Sequence, residues 1–362
     1  VKALFSRLIG QALSPGRVAR ATAPVLLYHS VADDAREPSA EHSAERSAEP
    51  FAEPSAEPSR GGVRSRLHRV RPAHLRAQLE ELGRHWDIVS LETLLALDDP
   101  RGRAAITFDD GYRSVFDEGL AVLEALRIPA TIFVCADHLE GTPSWRDGLR
   151  RIVELGLEEA FVRAHPDFAG DGDLLQRTKR SGVDPARVLK AVERFLRDTP
   201  DTGGWGAESD LPARAEEIPD HPLLRLGNHG GSHSVMASLS VEAQRDEILR
   251  GAEAIGRLAV RRGANPHLPV FALPFGGRRH WNRDTLTALR MSGHTTLLLA
   301  GGRLNRGFRT IESIRVLDRV LPSEGPLFPD LARRWFKGGP VVSPGASDRG
   351  GPRPDTASGI AR

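Results

Sequence analysis

An apolar run ends on two adjacent carboxylates in AITFDDGY, residues 105–112, where Asp109 and Asp110 stand before Gly111. Two negative charges side by side repel, and burying them uncompensated is unfavourable, so they need different partners. Further along, GNHGGSH (227–233) sets His229 and His233 four residues apart. One helical turn or a tight loop with that spacing points both imidazoles at one place. Two histidines and one carboxylate suit zinc or a similar divalent ion and leave positions open for water and substrate. Asp110 is assigned to the metal. Asp109 is assigned as the base that takes a proton as water attacks a carbonyl carbon, since a metal lowers the pKa of water toward neutrality and a positioned carboxylate completes the deprotonation.

These residues need elements to position them. Short runs rich in Val, Ile, Leu, Thr and Phe (PVLLYHS, WDIVS, RAAITF, PATIFVC, LLRLGNH, PVFALPF, TTLLLA and IESIRVL) alternate with helical patterns, the rhythm of βα units around a parallel sheet. The count favours a closed or nearly closed β/α barrel, whose active site is built at the C-terminal ends of the strands. Three runs end in the unusual stretches TFDDGY, GNHGGSH and ALPFG (272–276).

The barrel is assigned to residues 21–337, with a polar, mostly helical insert over 144–220. Within it, the stretch 37–62 echoes Ser-Ala-Glu-Pro and has almost nothing able to build a core, so a disordered loop is expected. A tail over 338–362, rich in Gly, Pro and Ser, is expected to be equally loose. An amphipathic arm over 1–20 carries Val1, Leu4, Phe5, Leu8, Ile9 and Leu13 at helical spacing. Packing of residues 1–13 on the domain's own surface is the plain reading, and peripheral contact with a membrane is the alternative.

With 40% hydrophobic and 27% charged residues among 362, the chain has the composition of an ordinary globular protein. Fifty Lys and Arg against 48 Asp and Glu give no reason to invoke nucleic acid, and the lone Cys135 excludes an internal disulfide. No apolar run reaches the roughly 18 residues of a transmembrane helix, and no secretion signal is seen. The expected location is the cytoplasm or the inner face of a membrane.

TFDDGY, HGGSH and ALPFG, in that order, resemble the first three motifs of the polysaccharide deacetylase family, carbohydrate esterase family 4. The resemblance runs from about Pro24 to Leu321 and takes in PVLLYHSV and HLRAQLEELGRHWDIVSLETLL. It implies an irregular α/β barrel of about seven strands and hydrolysis of acetyl groups on sugars with a divalent metal, usually zinc. By position it gives Asp109 as base and Asp110, His229 and His233 as metal ligands. It places Tyr112, Pro274 and Gly276 on the substrate pocket, and it makes the backbone N–H of Phe275 or its neighbour the donor to the oxyanion. Such a donor is typically worth on the order of 3 kcal/mol.

Three positions depart from the family pattern. Ala272 stands where many members carry an arginine that braces the catalytic aspartate, Gly230 replaces Ser or Thr, and no Leu-x-His motif supplies a general acid. Poly-N-acetylglucosamine deacetylases look permuted, with the acid on the first strand, which assigns that role to His29. His294 precedes its strand and is expected at the opposite end of the barrel. The function expected is removal of acetyl from N-acetylated amino sugars of a polysaccharide or glycoconjugate. The alternatives are O-acetyl ester hydrolysis and a non-catalytic carbohydrate-binding protein on the same fold.

Overall fold

The structure is a computed structural model that describes residues 14–33, 69–180, 182–200, 202–205, 211–261, 268–323 and 325–336. The expectations for residues 1–13, for the stretch 37–62 and for the tail from 338 fall outside these residues. Among the described residues the strands are β1 (Val25–Tyr28), β2 (Ser30–Val31), β3 (Arg69–Val70), β4 (Asp87–Ile88), β5 (Arg103–Phe108), β6 (Ala130–Val134), β7 (Leu224–Asn228), β8 (Val270–Ala272), β9 (Thr296–Leu299), β10 (Arg309–Ile311) and β11 (Ile314–Asp318).

Seven of them form the parallel series β1-β5-β6-β7-β8-β9-β11, with β10 added antiparallel to β11. Just beyond β11, Val320 donates to the Val25 carbonyl and accepts from the Leu27 amide, both at 2.8 Å, in a parallel bridge to β1. The last strand thus returns to the first, and the sheet closes into the expected irregular seven-strand barrel.

Closure fixes which residues can meet. Successive side chains of a strand point to opposite faces, so Val25, Ala105, Phe133, Ala272, Leu298 and Leu317 form one buried cluster inside the barrel. Their neighbours Leu26, Tyr28, Ile106, Phe108, Ile132 and Val134 pack outward against helices Pro72–Gly83 and Leu120–Leu126. Counting on by twos along the inner face leads from Ala105 to Thr107 and Asp109, from Val25 to Leu27 and His29, and from Leu317 to Arg319. The chemistry-bearing residues therefore crown the apolar interior.

The N-terminal helix Pro15–Ala21 starts where Ser14 caps the Arg17 amide and Pro15 takes the first helical position. It buries Val18 and Ala19 in the main core.

The insert is helical, with Trp145–Glu154, Glu158–Ala164, Leu174–Arg177 and Pro185–Asp198 as its α-helices. Polar in composition, it still closes its own small core from Leu149, Ile152, Phe161, Val188, Val192 and Phe195. Phe275, from the loop after β8, packs against that core, and its ring meets the Trp145 ring edge-on at 6.0 Å. Among the described residues no helix is long and apolar enough to cross a membrane.

Candidate active site

Asp109 and Asp110 follow β5 directly, and the loop after β7 carries His229 and His233. All four are buried, at 4, 7, 1 and 7% exposure. The structure brings them together. Asp110 Oδ1 lies 3.3 Å from His233 Nε2 and 3.6 Å from His229 Nε2. Candidate ligand atoms of Asp110, His229 and His233 all fall within 4.8 Å of one another, the arrangement needed to hold one metal ion.

Two observations test the fit. Metal bonds of about 2.1 Å at tetrahedral angles would separate ligand atoms by about 3.4 Å, close to both distances. Asp110 Oδ1 is also buried with no hydrogen-bond partner, an arrangement unfavourable for a carboxylate unless a cation completes it. His229 is oriented for the same task. Its Nδ1 donates to the Ala272 carbonyl at 2.8 Å, which fixes the tautomer and turns the Nε2 lone pair toward Asp110.

Backbone conformation re-aims several of these groups. Asp110, His233 and Phe275 all have left-handed backbones, with φ of 67°, 57° and 62°. Such conformations are unfavourable for residues with a Cβ and concentrate at functional sites. Gly230, with φ of 94°, has the freedom that the Ser or Thr expected there lacks.

The electrostatics separate the two aspartates. Burial would raise Asp109, but the Arg319 guanidinium, with His229 and His29 nearby, outweighs it and holds the carboxyl below its ordinary range. Arg319 is fully buried and grips Asp109 with both arms, at 2.6 and 2.7 Å. Asp110 goes the other way: burial raises it, and Asp109 and Asp147 add to the rise against His229. Burial first, then His229, His138 and Arg146, push His233 well below its usual value and favour the neutral imidazole that a metal needs.

A cavity of about 190 Å³ covers this cluster, lined by Asp109, Asp110, His229 and His233 with His29 and Phe275. The insert adds Ser144, Arg146, Arg150 and Lys179. A larger cleft of about 550 Å³ opens beside it, between the insert and the start of helix Val241–Arg261, and Ser144 lines both.

Three residues expected on the substrate pocket are not on the cavity wall. Tyr112 is 1% exposed and turns away, donating to Asp147 Oδ1 and accepting from Arg150 Nη1, each at 2.7 Å. Pro274 is buried. Gly276 packs against the loop after β9, where a Cβ would stand 2.3 Å from Ala300 Cβ. Of the amides in this loop, that of Gly276 is already committed to the Leu273 carbonyl at 3.0 Å, which leaves Phe275 as the candidate donor. His294 packs between barrel and helix, its Nε2 3.1 Å from Asn228 Nδ2, and does not line the cavity.

Two residues escaped the sequence reading. Arg319 supplies from the end of β11 the brace that Ala272 lacks. Glu247, on helix Val241–Arg261, fastens the histidine loop: Oε2 accepts the Gly231 and Ser232 amides at 3.1 and 2.9 Å, and Oε1 accepts the Ser232 hydroxyl at 2.9 Å.

Fold and site together describe a β/α barrel whose strand ends carry an Asp110–His229–His233 cluster able to hold one metal ion. The polysaccharide deacetylase family model matches residues 96–165 of the chain. The matched segment holds Asp109 and Asp110 and ends before the two histidines. No curated protein matches the sequence. Among solved structures, a de-N-acetylase from Aggregatibacter actinomycetemcomitans is similar at 14% identity and a TM-score of 0.46, over 86% of this chain and 98% of that one. IcaB from Ammonifex degensii is similar at 15% and 0.44, over 86% and 97%. Deacetylase PplD from Streptococcus pyogenes, solved with acetate, is similar at 14% and 0.43, over 83% and 91%.

Proposed function

We propose that this enzyme removes acetyl groups from N-acetylated amino sugars of a polysaccharide or glycoconjugate, in a metal-dependent reaction with Asp109 as base. The observation that carries the reading is the Asp110–His229–His233 cluster with Asp109 beside it, His229 Nε2 lying 3.7 Å from Asp109 Oδ2. Asp110, His229 and His233 would hold one divalent ion, and zinc suits this donor set. When bound, the ion polarises the acetyl carbonyl and makes the attacking water more acidic.

The remaining work falls to the chain. Asp109 takes a proton from the water whose oxygen bonds to the carbonyl carbon, and Arg319 keeps that carboxylate ionised and aimed. The Phe275 N–H receives the developing oxyanion. As the carbon–nitrogen bond breaks, His29 gives a proton to the departing amine, leaving acetate and a free amino sugar. Ala272 and Gly230 are the departures that favour a non-catalytic reading, and the first loses its force because Arg319 takes over the brace.

Acetate release from short chitooligosaccharides tests this, comparing the zinc-reconstituted chain with Asp109→Asn. Release by the first and not the second, with equal metal content, supports the reading; no metal in either overturns it. His29→Ala should lower amide hydrolysis by about 10²–10⁴-fold, the usual range for a general acid. Activated acetyl esters, whose leaving group departs without a proton, should lose far less. Equal losses on both would remove His29 from the acid role.

A further inference from the structure

Three cations reach the catalytic cavity from the insert: Arg146 and Arg150 on helix Trp145–Glu154, and Lys179 just after helix Leu174–Arg177. Arg150 has its counter-ion, with Nη1 2.5 Å from Asp147 Oδ1. The other two have none. Arg146 is 5% exposed; its Nη1 donates to the Leu175 carbonyl at 2.8 Å and to Thr178 Oγ1 at 3.1 Å, and its Nε is buried without a partner. Among the described residues no carboxylate pairs with Arg146 or with the half-buried Lys179. Both sit over the Phe275 ring, the guanidinium at 5.5 Å and the ammonium at 5.4 Å from its centre.

The charges on the cavity wall do not cancel. Its carboxylates are Asp109 and Asp110 against Arg146, Arg150 and Lys179; Arg319 and Asp147, behind the wall, pair with Asp109 and Arg150, so on the wall itself Asp110 is left against Arg146 and Lys179, before any metal charge is counted. Burial, then Arg146 and Arg150, bring Lys179 down to about 8, with only Asp173 opposing. Burial, then Arg150, brings Arg146 down to about 9 against the opposing pull of Asp147, Tyr112 and Asp110. Cations held near each other in a partly buried cavity are unfavourable unless an anion arrives to pair them.

We propose that Arg146 and Lys179 form an anion subsite, and that the acetylated sugar presented to Asp109 carries a carboxylate or phosphate on itself or its neighbour. The inference rests on the deacetylase reading above and narrows its substrate to an acidic glycan. A guanidinium whose donors are fixed by the insert suits either oxyanion, with the lysine adding a point charge. Product acetate is an anion too, but neutral substrates release it equally, so acetate binding would create no preference among sugars.

The test is binding on the zinc-reconstituted full chain carrying Asp109→Asn, measured by titration calorimetry. The probes are N-acetylglucosamine, N-acetylglucosamine 1-phosphate and an N-acetylhexosaminuronic acid, the last two separating phosphate from carboxylate. At least one acidic sugar should bind ~10-fold or more tighter than the neutral one, as a desolvated charge pair allows. Adding Lys179→Met should remove most of that preference, weakening the acidic sugar far more than the neutral one, and Lys179→Arg should keep it. Arg146→Met should act in the same direction if it folds. Equal binding of acidic and neutral sugars overturns the subsite, as does equal loss of both in Lys179→Met. Acetate release by the chain with Asp109 intact reports separately: an acidic preference without any acetate leaves the subsite standing and overturns the deacetylase reading instead.

Discussion

At the scale of single residues, Arg319 is the side chain on which Asp109 depends. Breaking a buried ion pair from one side typically costs about 3–5 kcal/mol, because the remaining charge stays buried without a partner. Arg319→Met should lower thermal stability and shift the acid limb of kcat/KM to higher pH, with metal content retained. The sign follows from the pair: Asp109 sits below its ordinary range because of Arg319, and removing the cation leaves burial free to raise it. The stability the pair provides is fully present above the ordinary carboxylate range and is lost as pH falls through the lowered Asp109 value. An unchanged pH profile would disconnect Arg319 from the base. The four central residues were legible as a candidate site because an aspartate pair and a histidine pair stand at the ends of separate apolar runs, a joint occurrence that neither pair alone would make telling. Arg319 was not, since an arginine inside SIRVLDRVL reads as one more surface charge. Period-two counting from Leu317 turns it inward, but only barrel closure through Val320 brings it to Asp109.

At the scale of elements, the histidine loop is held from outside by helix Val241–Arg261. Glu247 gathers two amides and a hydroxyl between the two histidines, and Arg250 Nη1 lies 3.4 Å from its Oε1. Glu247→Ala should free residues 231–232 and let His233 drift from its left-handed backbone. Residues that orient metal ligands usually change affinity by about 10–100-fold when removed, and zinc competition against a chelator should show a loss in that range. Unaltered zinc affinity would make the contact purely structural. The strands themselves were well marked in the sequence, because apolar runs bounded by Gly, Pro and Asp at βα spacing leave few alternatives. The insert was less so. Its polar composition concealed the core it closes, and that core depends on helix Pro185–Asp198 laying Val188, Val192 and Phe195 against Leu149 and Ile152, pairings that sequence distance does not reveal.

At the scale of the whole molecule, the barrel carries Asp109, Asp110, His229 and His233 while the insert carries the cationic wall, so the proposed substrate recognition depends on how firmly the two are joined. Tyr112 is the joint: it leaves the barrel beside Asp110, bonds to Asp147 and Arg150 of the insert, and its backbone bridges to Pro212 where the insert returns. The sequence placed Tyr112 on the substrate pocket because it adjoins the motif, yet its buried hydroxyl already has both its partners inside the protein. Tyr112→Phe keeps the ring and removes the hydroxyl, leaving Asp147 Oδ1 with Arg150 alone and Arg150 short of one acceptor. Unsatisfied buried groups cost about 1–3 kcal/mol, and the loss should fall on the junction. Hydrogen exchange should therefore quicken in helices Trp145–Glu154 and Pro185–Asp198 while β5, β6 and β7 keep their protection. In the same variant KM should rise with zinc content unchanged, because among the described residues no hydrogen bond runs from Asp110, His229 or His233 themselves to the insert, and the backbone bonds of Gly111 and Arg113 to residues 211–213 do not involve the Tyr112 hydroxyl. Uniform loss of protection across barrel and insert would instead mean that Tyr112 is part of one indivisible core.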